Sequence, residues 1–183
     1  MIVKVNQRGD EIDMAHHVLN EIDNDIVRVI SVEGFVADDP LGALAEIKLL
    51  RETNTKAKNG ILSVAINPDH LQSPLGDDLI KELAHNLNVG FGTVGQPSIL
   101  LEHFKNERSH FHLLISRIDV ENGKAIEVPF DRLKSMMVVR EFARDHGIKL
   151  AEGYYKKFDM SKNKDKDFSL KEKFQFDKTG LNK

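Results

Sequence analysis

Apolar and polar residues alternate from Met1 to Asn6, and this period of two predicts a short strand that Gln7-Arg8-Gly9-Asp10 breaks. The period then lengthens. Ile12, Ala15, His16 and Leu19 fall at i, i+3, i+4 and i+7, the spacing of a buried helical stripe. Asp10 serves as the cap of that helix and Asp13 as a weak capping-box partner, while His17 sits on the more polar flank beside Asp13 and Asn20. Ile26 to Val32 gives a second strand, and Asp38-Asp39-Pro40 opens a helix running to Glu52, with an acid as cap and proline in the first turn. Beyond the basic turn Asn54 to Gly60, Ile61 to Ile66 forms a third strand closed by Asn67-Pro68. Asp77 to Leu87 follows as a helix with Leu79, Leu83 and Leu87 on one face. Gly90 to Pro97 is rich in glycine but leads into a strand, so it reads as a connector rather than a phosphate-binding loop. Ser98 to Ile118 reads as a β-hairpin turning at the polar stretch Lys105 to Ser109. Asn122-Gly123 is a turn, Lys124 to Val128 a short extended piece, and Arg132 to His146 the last helix, stopped by Gly147.

The order β-α-β-α-β-α-β-β-α predicts an α/β (α+β) fold, in which a central sheet containing an antiparallel hairpin carries helices on its faces. After Gly153 the pattern fails. Tyr154-Tyr155-Lys156-Lys157 passes into the charged run Ser161 to Asp167, so residues 1–153 are expected to form one compact domain and residues 154–183 a charged, flexible segment. The chain has no cysteine, which excludes disulfides and thiolate metal sites. It has no apolar run near the ~18 residues of a membrane span, and Met1-Ile2-Val3-Lys4 is unlike a signal peptide. The expectation is a cytoplasmic protein without membrane insertion. The formal net charge of −3 conceals an asymmetry: nine lysines against five acids from Tyr154 onward leave residues 1–153 at about −7. A nucleic-acid partner would have to be met by a local basic patch, a metal and the tail rather than by the surface as a whole.

The candidate chemistry lies in the hairpin. Residues two apart on a strand share a face, so His110 and His112 stand about 7 Å apart with their rings side by side. His103, near the end of the partner strand, is brought toward them by the turn. Three neutral imidazoles leave open positions on a divalent ion, as a catalytic site requires and a closed structural site does not. Burying such rings in an apolar strand without partners costs free energy that a metal would offset.

Several segments together resemble the relaxase, or mobilisation nuclease, family of plasmids and integrative elements. They are Gly95-Gln96-Pro97, the aliphatic strand to His103, His110-Phe111-His112, Ile115-Ser116-Arg117-Ile118-Asp119 and Gly123-Lys124-Ala125-Ile126. The resemblance extends to Met1-Ile2-Val3-Lys4, Val32-Glu33-Gly34-Phe35 and the helix ending Arg140 to Gly147, and it covers roughly residues 1–150. It implies a two-layer HUH endonuclease fold with the His-hydrophobic-His pair on a central strand. It also implies a divalent ion on His103, His110 and His112, and nicking of single-stranded DNA at an origin of transfer with the protein left on the new 5′ phosphate. Accessory DNA-binding and coupling proteins are the implied partners, and Arg8, Lys56, Lys58 and Arg117 are candidate DNA contacts. Imidazole donors favour Mn, Zn or Ni over Mg, while phosphoryl chemistry commonly uses Mg, so Mn or Mg is expected first and Zn or Ni next.

The departures from the family are informative. The usual nucleophile is a tyrosine on an N-terminal helix, and no tyrosine precedes Tyr154. Aligning Met14 to Leu19 with the family pattern places His17 there, with His16 as neighbour or substitute; a neutral imidazole is a competent nucleophile and would give a phosphoramidate link. The helical period, however, puts His16 rather than His17 on the inward stripe. Ser63 and Asn67 stand where the family often has histidine and serine. Tyr154 and Tyr155 are alternative nucleophiles. Three readings follow: a nicking relaxase using His17, a relaxase-fold DNA-binding module that has lost nicking, and a metal-dependent phosphoesterase whose nucleophile is water. The family commonly continues into further regions, so the chain is also read as a possible piece of a longer protein.

Overall fold

The structure is a computed structural model that describes residues 1–8, 27–54, 56–68, 75–105 and 108–151. The helix expected over residues 10–20, with His16 and His17, and the segment 154–183, with Tyr154 and Tyr155, lie outside the described residues. Within them, strands β1 (Ile2–Arg8), β2 (Val27–Glu33), β3 (Ile61–Asn67), β4 (Ser98–Lys105) and β5 (Arg108–Ser116) form one sheet. Its order is β1-β3-β5-β4-β2, with every neighbouring pair antiparallel. The helices are α1 (Pro40–Thr53), α2 (Asp77–Phe91) and α3 (Asp131–Asp145).

Both faces of the sheet are covered, which is why its inner strands read as nearly continuous apolar runs. Ala43, Leu44 and Ile47 of α1 pack on Ile61, Ile99, Leu101 and Leu114. On the other face Ile80, Leu83 and Leu87 of α2 join Val138, Val139 and Phe142 of α3 over Val3, Val5, Leu62, Val64, Leu100, Phe111, Leu113 and Ile115. The split follows the period of two: Leu62, Val64 and Ile66 of β3 go to the α2/α3 core, whereas Ile61 goes to the α1 core.

Among the described helices the expected starts and stops hold to within a residue, except at the end of α2. Asp39 caps α1 by accepting from the backbone N–H of Leu41 and Gly42, and Pro40 sits in the first turn. Gly147 follows α3 in the left-handed region at φ 64°. Helix α2, expected to end at Leu87, continues to Phe91 and is closed by Gly92 at φ 75°. Gly90 is therefore a helical residue rather than part of a connector, and its role is close approach, since a Cβ there would stand 2.6 Å from Cγ2 of Val138 on α3. The hairpin is also tighter than expected: β4 reaches Lys105 and β5 begins at Arg108, so Lys105, Arg108 and Ser109 belong to the strands. Cross-strand pairing outweighs the polarity of those residues.

Arg117, expected from the sequence as a candidate DNA contact, is turned inward. It is 5% exposed. Its guanidinium donates to the carbonyl of Ile126 through Nε (3.2 Å) and Nη2 (3.0 Å) and to that of Asn59 through Nη1 (3.2 Å). It straps the exit of β5 to the turn before β3 and to the extended segment at Ile126. Arginine suits this because its fork of donors reaches several carbonyls at once. Arg117→Ala is expected to lower stability by roughly 2–4 kcal/mol in urea unfolding, because two inward carbonyls lose their donor. DNA binding by the folded variant should stay as in the parent; a selective loss of binding at unchanged stability would return Arg117 to the DNA contacts.

A second tie joins the edge strand β2 to helix α2. Arg28 donates through Nη1 and Nη2 to both carboxylate oxygens of Asp77 at 2.9 and 2.7 Å. Those hydrogen bonds hold the Asp77 carboxyl below its ordinary value of 3.8, and the same contact raises the Arg28 guanidinium, which stays charged throughout. A carboxylate depressed on folding stabilises the native state above its unfolded pKa, and that contribution fades as pH falls through the folded value. The window therefore lies below pH 3.8. Asp77→Asn should flatten the melting-temperature profile there relative to the parent, and parallel acid limbs would show that the pair is solvated away.

Candidate metal centre

The site is built by strand register. His103 of β4 faces His110 of β5 directly, and His112 faces Leu101. Leu101 belongs to the α1 core, so alternation puts His103, His110 and His112 on the α1 face of the sheet. They lie beyond the apolar patch that α1 covers, which ends at Leu101 and Leu114 on these two strands. Ring centroids are 4.5 Å apart for His103 and His112, 5.0 Å for His110 and His112, and 5.3 Å for His103 and His110. His103 is buried at 2% exposure, while His110 and His112 are half-buried, so the cluster is anchored at one ring and reaches toward solvent at the other two.

The residues fit a metal. One ligand nitrogen from each ring lies within 4.8 Å of the other two. An ion bound at about 2.1 Å from each nitrogen holds such atoms roughly 3–3.4 Å apart, so small χ rotations suffice to close the set. The donor chemistry agrees: three imidazoles are a borderline donor set suited to a first-row divalent ion, and they leave coordination positions for other ligands. Nε2 of His103 is buried beside two other imidazoles, and a bound cation would offset the cost of desolvating that nitrogen.

The remaining sequence candidates distribute unevenly. Lys56 and Lys58 are exposed on the turn that enters β3 at Ile61, the opposite end of that strand from the level of the triad. Arg8 pairs through its backbone with Ile61 at that same end. Arg117 is turned inward, and His16 and His17 fall outside the described residues. Other residues stand closer, and of these Lys4 and Asn6 are not singled out by the sequence. Lys4 of β1 pairs with Ala65 of β3, and Ala65 pairs with His112, so these three form one transverse row on the α1 face. Lys4 and Asn6 are exposed there, and Ser63 and Asn67 flank Ala65 on the same face. Polar alternation in β1 was visible in the sequence; what the sequence lacked was the strand order, which makes the polar face of β1 the triad's face.

The relaxase family, in its MobA/VirD2-like nuclease domain, matches residues 16–148. That span includes His103, His110 and His112 and every described element except β1. Comparison with curated proteins gives no match. The antiparallel five-stranded sheet flanked by helices is an α+β fold consistent with that domain. The chain belongs to the relaxase family, as a MobA/VirD2-like nuclease domain that nicks DNA.

Proposed function

We propose that this domain nicks single-stranded DNA at an origin of transfer by transesterification, with His103, His110 and His112 holding a divalent ion and His17 as nucleophile. The observation that carries the reading is the convergence of three imidazoles on one sheet face inside the matched span. Bound there, Mn or Mg, or in their place Zn or Ni, would polarise the scissile phosphate and offset charge developing on its oxygens. The rest falls to the chain's own residues. A neutral His17 nitrogen attacks phosphorus, a P–N bond forms as the P–O3′ bond breaks, the imidazole proton is released, and the departing 3′ oxygen takes up a proton. The product is a free 3′ hydroxyl and a protein joined to the 5′ phosphate. His16 stands next to the attacking residue as its substitute, and Tyr154 and Tyr155 are the competing nucleophiles.

Lys4, one strand beyond Ala65 in the row of His112, supplies a cation for a neighbouring phosphate; Arg8, Lys56 and Lys58 extend the contact along the far end of the sheet. The acidic balance of residues 1–153 favours short-range contacts of this kind over general attraction to polyanions. Accessory DNA-binding and coupling proteins would deliver the strand, and the cytoplasm would be the site of action. No described helix is long and apolar enough to cross a membrane.

The test uses labelled single strands tiling the transfer region, Mn²⁺ and a denaturing gel kept at neutral pH to protect a phosphoramidate. A protein-linked band that disappears in His17→Ala and persists in Tyr155→Phe is expected. Cleavage without a linked band would replace the nucleophile with water, and binding without cleavage would leave a DNA-binding module. In the same system Lys4→Ala should weaken binding and reduce the slope of log affinity against log salt by about 0.7, the loss of one phosphate contact on a single strand. An unchanged slope would remove Lys4 from the interface.

A further inference from the structure

On the reverse of the sheet, behind the histidines, lies a charged cluster that the nicking chemistry does not use. Glu102 of β4 is 7% exposed on the face otherwise given to Leu100, Phe111 and Leu113. Arg28 of β2 donates to Oε2 of Glu102 through Nε at 2.7 Å and Nη2 at 2.5 Å, and Ser109 of β5 donates to Oε1. The same guanidinium reaches Asp77 at the start of α2. Four elements are thus tied together through one buried carboxylate.

The position of this cluster matters. Val27, His103 and His110 form one transverse row across β2, β4 and β5. Each clamp residue on these strands is the sequence neighbour of a member of that row: Arg28 follows Val27, Glu102 precedes His103, and Ser109 precedes His110. The row also lies at the end of the sheet. β4 extends only two residues past His103, and the register of β2 against β4 begins at Val27. Strand ends beside a turn are where a sheet opens first. Burying a carboxylate is costly, and an apolar residue at 102 would sit more cheaply beside Leu100 and Phe111. What the charged network gives in return is a single arrangement, because a slip or splay of β4 against β5 breaks the Ser109 bond to Glu102 and one of β4 against β2 breaks the Arg28 bonds.

We infer that Arg28, Glu102 and Ser109, anchored by Asp77, are positioning residues that hold His103 and His110 at metal-binding separation from the opposite face of the sheet. This rests on the reading of the triad as a metal centre. The clamp touches neither metal nor DNA; it acts through the backbone of β4 and β5, keeping the ligand set preorganised.

The experiment is a Co²⁺ titration of the whole chain, followed by the visible bands of the bound ion at a temperature where each variant is folded, with melting curves in parallel. Glu102→Gln, which keeps the shape and removes the charge, should weaken Co²⁺ affinity about tenfold or more, the range seen when the supports of ligand histidines are removed. Ser109→Ala, a milder change that keeps the assay informative if Glu102→Gln folds poorly, should weaken it by a smaller factor and speed amide exchange at residues 99–104 and 109–113. Leu83→Ala, which truncates the α2/α3 core without altering a clamp residue, should lower the melting temperature and leave Co²⁺ affinity unchanged. Folded Glu102→Gln and Ser109→Ala that bind Co²⁺ as tightly as the parent would overturn the inference while leaving the metal centre intact. A parent protein that takes up no Co²⁺ would instead overturn the metal centre and the clamp with it.

Discussion

Pairing His103 with His110 across β4 and β5 settles the assignment of every other residue on those strands. With a side-chain period of two, that register sends Ile99, Leu101 and Leu114 under α1 and Leu100, Phe111 and Leu113 under α2 and α3. A shift of one residue would drive the histidines into the α2/α3 core and the leucines toward the site. Because β5 is the middle strand and is buried on both faces, neither exchange is tolerable. The hydrophobic effect therefore fixes the chemistry indirectly: it allows one register, and only that register gathers three imidazoles.

The same constraint explains the unequal burial of the triad. His103 lies between β5 and the start of β2, with Val27 as its partner on one side and His110 on the other, and is sealed. His112 has Ala65 beside it on β3, where a small side chain leaves room, and stays half-buried. A ligand set anchored at one ring and open at two suits an ion that must also accept groups from outside the protein.

How much of this could be read from the sequence depended on whether the governing interaction was local. The cap at Asp39-Pro40, the stop at Gly147 and the His-x-His on a strand are settled by neighbours within a few residues, and all are found in the structure. Gly90 is different: its packing partner Val138 lies on another helix, so the glycine gave the signal of a loop when its role is close approach. Lys105, Arg108 and Ser109 looked like a turn because polar composition usually marks one, yet strand pairing claims them. Arg117 is the sharpest case. An arginine beside a nucleic-acid site suggests a phosphate contact, and nothing local reveals that the carbonyls of Asn59 and Ile126 converge on its guanidinium. Glu102 is illegible in the sequence for the matching reason, since a lone glutamate in a strand acquires meaning only when Arg28 and Ser109 arrive beside it from two other strands.

Sheet order also bears on why the strand that reaches this site should be single. Across the α1 face the row runs Lys4, Ala65, His112, Leu101, and neighbouring strands are about 4.8 Å apart, so the lysine and the histidine are separated by about 10 Å with only a methyl group between them. Among the described residues the row thus carries a cation at one end and an imidazole of the triad toward the other. On the proposed function, one phosphate of an extended single strand would lie at the triad and another of the same strand near Lys4. A single strand can also rotate its backbone to offer one phosphate to the histidines, whereas paired strands hold theirs in fixed helical order.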